Sequence, residues 1–197
     1  MSSRTDTWPP ADAEPVSPHA DAPAPGTQLA EHYAECFGCG HEVESGLHLT
    51  SAVADDMSVV STFTVQKDHQ GAPGLAHGGL LACAFDEALG SAVGNLLRRP
   101  AVTARLETDF VAPVPVGSTL HIAAKLDGGS GRKTYVSAEG RLDAADGPVA
   151  LRARALFVTV GVEHFTTHGD PDALDKFRET RAAEAKAAED RGWDVNP

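Results

Sequence analysis

The run from Leu80 to Leu97 constrains this chain more than any other stretch. Small and apolar residues cover nearly every side of its helical wheel, which predicts a helix buried all round rather than a surface helix. At about 18 residues it approaches the length of a membrane span. Asp86 and Glu87 in mid-run, two glycines and short alanine-type side chains argue instead for the centre of a folded domain. Adjacent carboxylates inside a buried helix are costly, because a desolvated carboxylate needs a partner or a raised pKa. Such a cost is tolerated mainly where the group does chemistry. The plainer reading puts Glu87 at the helix edge and bonds Asp86 to nearby backbone.

The helix follows Gly71-Ala72-Pro73-Gly74-Leu75-Ala76-His77-Gly78-Gly79, a turn-rich loop. Strand-like alternation surrounds both. Leu47 to Val53 and Ser58 to Val65 read as a hairpin turning at Asp55-Asp56. After the helix come Val102 to Phe110, Thr119 to Leu126, Lys133 to Leu142 and Val149 to Val160. Asp127 to Gly131 reads as the glycine-rich loop between two of them. Two strands, one helix and four strands predict an α+β domain, with an antiparallel sheet of about six strands wrapped around one helix.

The flanks differ in composition. Residues 1–28, rich in Pro, Ala and acid, predict a disordered tail. The folded domain is expected over residues 29–162. Residues 163–197 follow as a polar C-terminal helix and tail, with few side chains able to pack. A net charge of −12 argues against nucleic acid or an anionic membrane as partner. No apolar leader pattern is visible, and three cysteines, an odd number, suit a reducing cytoplasm.

Cys36-Phe37-Gly38-Cys39-Gly40-His41 offers a C-x-x-C, but no second such pair exists. Zinc wants four ligands, and His41, His48 and Cys83 stand at no familiar spacing. The motif is therefore read as a structural turn before a metal or redox site. No metal and no cofactor are expected.

Pro73-Gly74-Leu75-Ala76-His77-Gly78-Gly79, with Asp86 nine residues after the histidine, resembles the hotdog-fold acyl-CoA thioesterases of the phenylacetate-degradation type. Phe110 to Gly117 and Gly131 to Val136 resemble the same family's strand-end and hairpin signatures, and the match covers roughly residues 36–161. Cys-Phe-x-Cys-Gly is similar to an N-terminal feature of some bacterial members. The resemblance implies hydrolysis of an acyl thioester, with Gly78 N–H as the oxyanion donor. It also implies that Thr103 stands near the catalytic water.

Independent chemistry points the same way. Gly78 and Gly79 open the helix, where backbone N–H groups lack intrahelical partners and the macrodipole is positive. His77 positions the thioester or caps the helix. Asp86 is the base that activates water or the nucleophile that attacks. Eight helical residues rise about 12 Å, so Gly78 and Asp86 of one chain cannot share a carbonyl. Catalysis thus predicts a homo-oligomer, a dimer or dimer of dimers. Arg132 and Lys133 are candidates for gripping coenzyme A phosphates, and apolar Phe85, Leu89 and Phe63 for lining the acyl pocket. A hotdog dehydratase or hydratase using His69, a non-catalytic acyl-CoA binding module and a zinc-dependent interaction protein are the rival readings.

Overall fold

The structure is a computed structural model that describes residues 7–179. It divides into two compact units, residues 1–159 and 160–197. In the first, β1 (Gln28–Leu29), β2 (Thr50–Val53) and β3 (Val59–Thr64) lead through a 3-10 turn at Lys67–His69 into a small hairpin, β4 (Gln70–Ala72) and β5 (Leu75–Ala76). The long helix α1 (Gly78–Leu97) follows, then β6 (Ala101–Phe110), β7 (Thr119–Ser130), β8 (Lys133–Leu142) and β9 (Val149–Thr159). The main sheet has seven strands in the order β1-β2-β3-β7-β8-β9-β6. Every neighbouring pair is antiparallel. The seventh strand, beyond the expected six, is the two-residue β1.

α1 packs one stripe against this sheet. Leu81, Ala84, Phe85, Ala88, Leu89, Ala92, Val93, Leu96 and Leu97 are buried at the three- and four-residue spacing of a helix face. They meet inward residues of the strands, including Val59, Phe63, Leu120, Ile122, Val136, Leu151 and Ala155. Phe85 needs Gly140 opposite it, because a Cβ there would stand 2.6 Å from the ring. Burying a side chain as large as Phe85 contributes about 1.5–3 kcal/mol. By length and composition α1 passes for a membrane span, yet its apolar stripe is the core of this domain.

The helix is not buried all round. Ala82, Cys83, Asp86, Glu87, Gly90 and Ser91 are only half-buried, and Gly94 is exposed. A hydropathy wheel cannot separate the two faces, since small residues count as apolar on both. What divides them is size: the branched and aromatic side chains face the sheet.

The N-terminal expectation also needs correction for residues 7–28, which lie against the sheet. Trp8 donates its indole N–H to Asp127 at 2.8 Å and meets Tyr135 edge-on at 5.4 Å between centroids. Arg105 and Arg154 stand over the same indole. Glu14 bridges Gly129, and His19 N–H reaches Leu96 C=O at 2.7 Å. One aromatic and a few backbone pairs supply the anchoring that average composition hides. The tail's partner stretch, Asp127 to Ser130, is accordingly strand rather than loop; β7 continues through a bulge to Ser130, and the turn is Gly131-Arg132.

In the second unit, α2 (Val162–His168) is followed by a helical segment from residue 171 to the last described residue. Gly169 N–H closes α2 on Phe165 C=O at 2.7 Å, so this short helix precedes the polar helix expected from residue 170 onward. The remainder of that expected helix lies outside the described residues.

Candidate active site

The loop before α1 is held by two histidines with different tasks. His69 is buried, accepts the Gln66 N–H on Nδ1 at 3.0 Å, and offers its carbonyl to His77 N–H at 2.8 Å. His77 is the N-cap of α1 and accepts the Gly79 N–H on Nδ1 at 3.0 Å. That contact engages the Gly79 N–H within the loop itself. Gly78 N–H, at the positive end of the helix, donates in none of the described hydrogen bonds. The ring of Phe110 borders it, 3.4 Å from where a Cβ would sit.

Two helical turns on, Asp86 accepts a hydrogen bond from the Thr103 hydroxyl at 2.8 Å. Thr103 lies in β6 just before a register shift between Thr103 and Arg105. Burial raises the Asp86 carboxyl above the ordinary range; the Thr103 hydroxyl opposes this, and the charge of Glu87 adds to it. Asp86 thus stays half-buried, with one oxygen held and a raised proton affinity.

Arg132 and Lys133 are exposed at the β7–β8 turn. Register relates them to Thr103. Thr103 pairs Phe157, which pairs Thr134, the neighbour of Lys133. Two strand spacings, roughly 10 Å, separate the basic turn from the Thr103–Asp86 pair. Phe85, Leu89 and Phe63 do not line an open groove. At 0%, 0% and 3% exposure they belong to the packed core, Phe85 and Leu89 on the helix stripe that meets the sheet and Phe63 on β3.

Sequence reasoning missed a second constellation. Side-chain ligand atoms of His32, Cys36, Cys39 and Glu87 lie within 4.8 Å of one another. Glu87 points about 100° from Asp86 on the helix, and that rotation aims it at His32 and the C-x-x-C loop. Hydrogen bonding to Cys36, then to Glu87, lifts His32 to about 10. Hydrogen bonding to Cys39 lowers Cys36 to about 3, while the same bond raises Cys39. His41 instead meets Glu31 at 2.6 Å, and His48 is exposed. The available signal was His32, four residues before Cys36, together with a second carboxylate on a core helix.

Comparison with known proteins agrees with this architecture. A family model described as "Thioesterase superfamily" matches residues 73–144. The crystal structure of a thioesterase superfamily protein aligns with a TM-score of 0.57 at 30% identity, covering 70% of each chain. The PaaI protein of the E. coli phenylacetic acid degradation operon aligns at 0.53 with 22% identity, over 58% of this chain and 81% of that one. Acyl-coenzyme A thioesterase THEM4 of Bos taurus is 34% identical over 113 residues, 57% of this chain and 46% of that protein. The Xenopus laevis THEM4 is 33% identical over 89 residues, 45% of this chain and 39% of that protein. The chain therefore spans about half the length or less of the curated relatives it matches.

Helix, sheet and loop define a hotdog domain. The chain belongs to the thioesterase superfamily, and it shares its fold with the PaaI protein.

Proposed function

We propose that this protein hydrolyses acyl-CoA thioesters as a symmetric dimer, each site combining Gly78 of one copy with Asp86 of the other. The observation that carries this reading is the Thr103–Asp86 hydrogen bond on the half-buried face of α1. A carboxylate kept at that cost, with one oxygen oriented and its proton affinity raised, suits a general base. The names of the THEM4 relatives support acyl-CoA as the substrate class.

Asp86 takes a proton from water while the water oxygen attacks the thioester carbonyl carbon. The carbonyl π pair moves onto oxygen, where Gly78 N–H and the α1 dipole stabilise it. Collapse of the tetrahedral intermediate breaks the C–S bond, and the leaving thiolate recovers the proton from Asp86. Thr103 holds the carboxylate in position throughout.

Two features support the dimer. β6 is a ten-residue edge strand paired only with β9 among the described strands, an invitation to pair with another copy. The α1 face of Ala82, Cys83, Asp86, Gly90 and Gly94 carries side chains short enough for a second helix to approach. Arg132 and Lys133 are proposed to grip the coenzyme A phosphates. No metal or cofactor takes part in the hydrolysis proposed here. Neither nucleic acid nor membrane is a proposed partner, and the three unpaired thiols suit a cytoplasmic location. The buried, doubly engaged His69 weighs against a dehydratase.

The test is free-thiol release from short, long and aromatic acyl-CoAs, with wild type beside Asp86→Asn. Wild-type turnover, reduced about 100-fold or more in the variant, supports the reading. Binding without thiol release would make the protein an acyl-CoA binding module instead.

A further inference from the structure

The loop Cys36–Gly40 does more than turn. Its Cys36 N–H is bonded to Tyr33 C=O at 3.0 Å, and Gly40 N–H returns to Cys36 C=O at 2.8 Å. The Gly38 N–H donates to Cys36 Sγ at 3.3 Å. Leu47 and Leu49 N–H groups bond Phe37 and Gly38 carbonyls, each at 2.9 Å, so the loop is fastened on its far side as well. Both sulfurs therefore project from one rigid turn toward α1. There the loop lies on Glu87 so closely that a Cβ on Gly38 would stand 2.5 Å from Oε2.

Four side chains of three ligand types, an imidazole, two thiols and a carboxylate, converge here. Cys39 Sγ is 3.2 Å from His32 Nδ1, His32 Nδ1 is 3.2 Å from Glu87 Oε1, and Cys36 Sγ is 3.5 Å from Glu87 Oε2. Bonds of about 2.3 Å to sulfur and 2.0–2.1 Å to nitrogen or oxygen in a tetrahedron give edges of roughly 3.3–3.8 Å. These three spacings sit at that edge length or within a few tenths of an ångström below it, and all four ligand atoms lie within 4.8 Å of one another. No disulfide joins the cysteines.

We propose that His32, Cys36, Cys39 and Glu87 bind one zinc ion that pins the N-terminal loop to α1 beside Asp86. Two thiolates and an imidazole select zinc over hard cations such as magnesium or calcium. Four protein ligands fill a tetrahedron and leave no position for water, which makes the site structural rather than catalytic. The Gly38 N–H contact to Cys36 Sγ serves as an outer-shell bond that orients the ligand. Because Asp86 and Glu87 are adjacent, the ion fixes the rotation of the turn that carries the proposed base. The site stands apart from the hydrolase reading and survives its failure.

The full chain, expressed with zinc available and purified without chelators, is analysed for metal. About one zinc per chain is expected, falling to a small fraction in Cys36→Ser/Cys39→Ser. Since that variant loses its fold if zinc is essential, wild type is also stripped under reducing conditions and titrated with Co²⁺. A thiolate-to-cobalt charge-transfer band saturating at one equivalent is expected, together with a Tm raised by roughly 4 °C or more on zinc return. A reduced wild type that holds no zinc and gives no such band overturns the proposal. So does a band that persists in the double serine variant, or a Cys36–Cys39 disulfide in protein trapped at lysis.

Discussion

The Thr103 hydroxyl on β6 and the Asp86 carboxylate on α1 meet at 2.8 Å, although seventeen residues apart in sequence. This bond joins the edge strand of the sheet to the half-buried face of the helix. It ties the cost of a desolvated carboxylate to the proposed chemistry.

The pH profile should report that bond. Only ionised Asp86 can take a proton from water, so hydrolysis should rise as pH passes upward through its raised pKa. Thr103→Val removes the donor that lowers this pKa, so the acid limb should move to higher pH, with kcat reduced roughly 10-fold or more. An unshifted acid limb in the variant would separate Thr103 from the titrating group.

Asp86→Asn should stabilise the fold while abolishing activity. A carboxyl whose folded pKa lies above its unfolded value favours folding only while protonated, and that advantage is lost as pH rises through the folded pKa. At neutral pH the amide avoids the penalty and still accepts from Thr103. Thermal unfolding at pH 7 and again near pH 4 should show the gain shrinking at the lower pH.

Gly78→Pro should delete the oxyanion donor with little change in fold. Gly78 is the first helical residue, where proline is tolerated, and His77 already has the extended backbone that precedes proline (φ −71°, ψ 128°). A loss of about 10²–10³ in kcat is expected. Mixed and re-annealed with Asp86→Asn, two inactive proteins should recover roughly a quarter of wild-type activity, since each mixed dimer holds one complete site. No recovery despite proven subunit exchange would rule out a shared site.

Gly94→Arg asks whether the exposed helix face is covered in solution. A Cβ at Gly94 meets nothing within 4 Å in the single chain, so a monomer would accept the change. In the proposed dimer it should break assembly, seen by light scattering, and lower activity with it.

Arg132→Ala should raise KM for acyl-CoA about 10-fold while changing kcat less, because the basic turn stands roughly 10 Å along the sheet from Thr103. An unchanged KM would reject the phosphate grip.

Much of the fold was legible because periodicity survives in the local sequence. The strand alternation, the helix from the His77-Gly78-Gly79 turn and the two mid-helix carboxylates required only residue spacing and polarity. Asp86 and Thr103 could each be singled out, one by the cost of its burial and the other by family resemblance.

What the sequence determined by itself was the set of elements, the family resemblance and the cost carried by Asp86, all properties of neighbours in the chain. Tertiary structure alone decided the pairings. Trp8 finds Tyr135 and Asp127, so an apparently structureless tail is anchored. Helix rotation sends Glu87 to His32 and the C-x-x-C loop while Asp86 turns to Thr103. These contacts bring together residues up to 127 positions apart, Trp8 and Tyr135. No local spacing encodes them, because which side chains meet is set by the packing of one helix against one sheet.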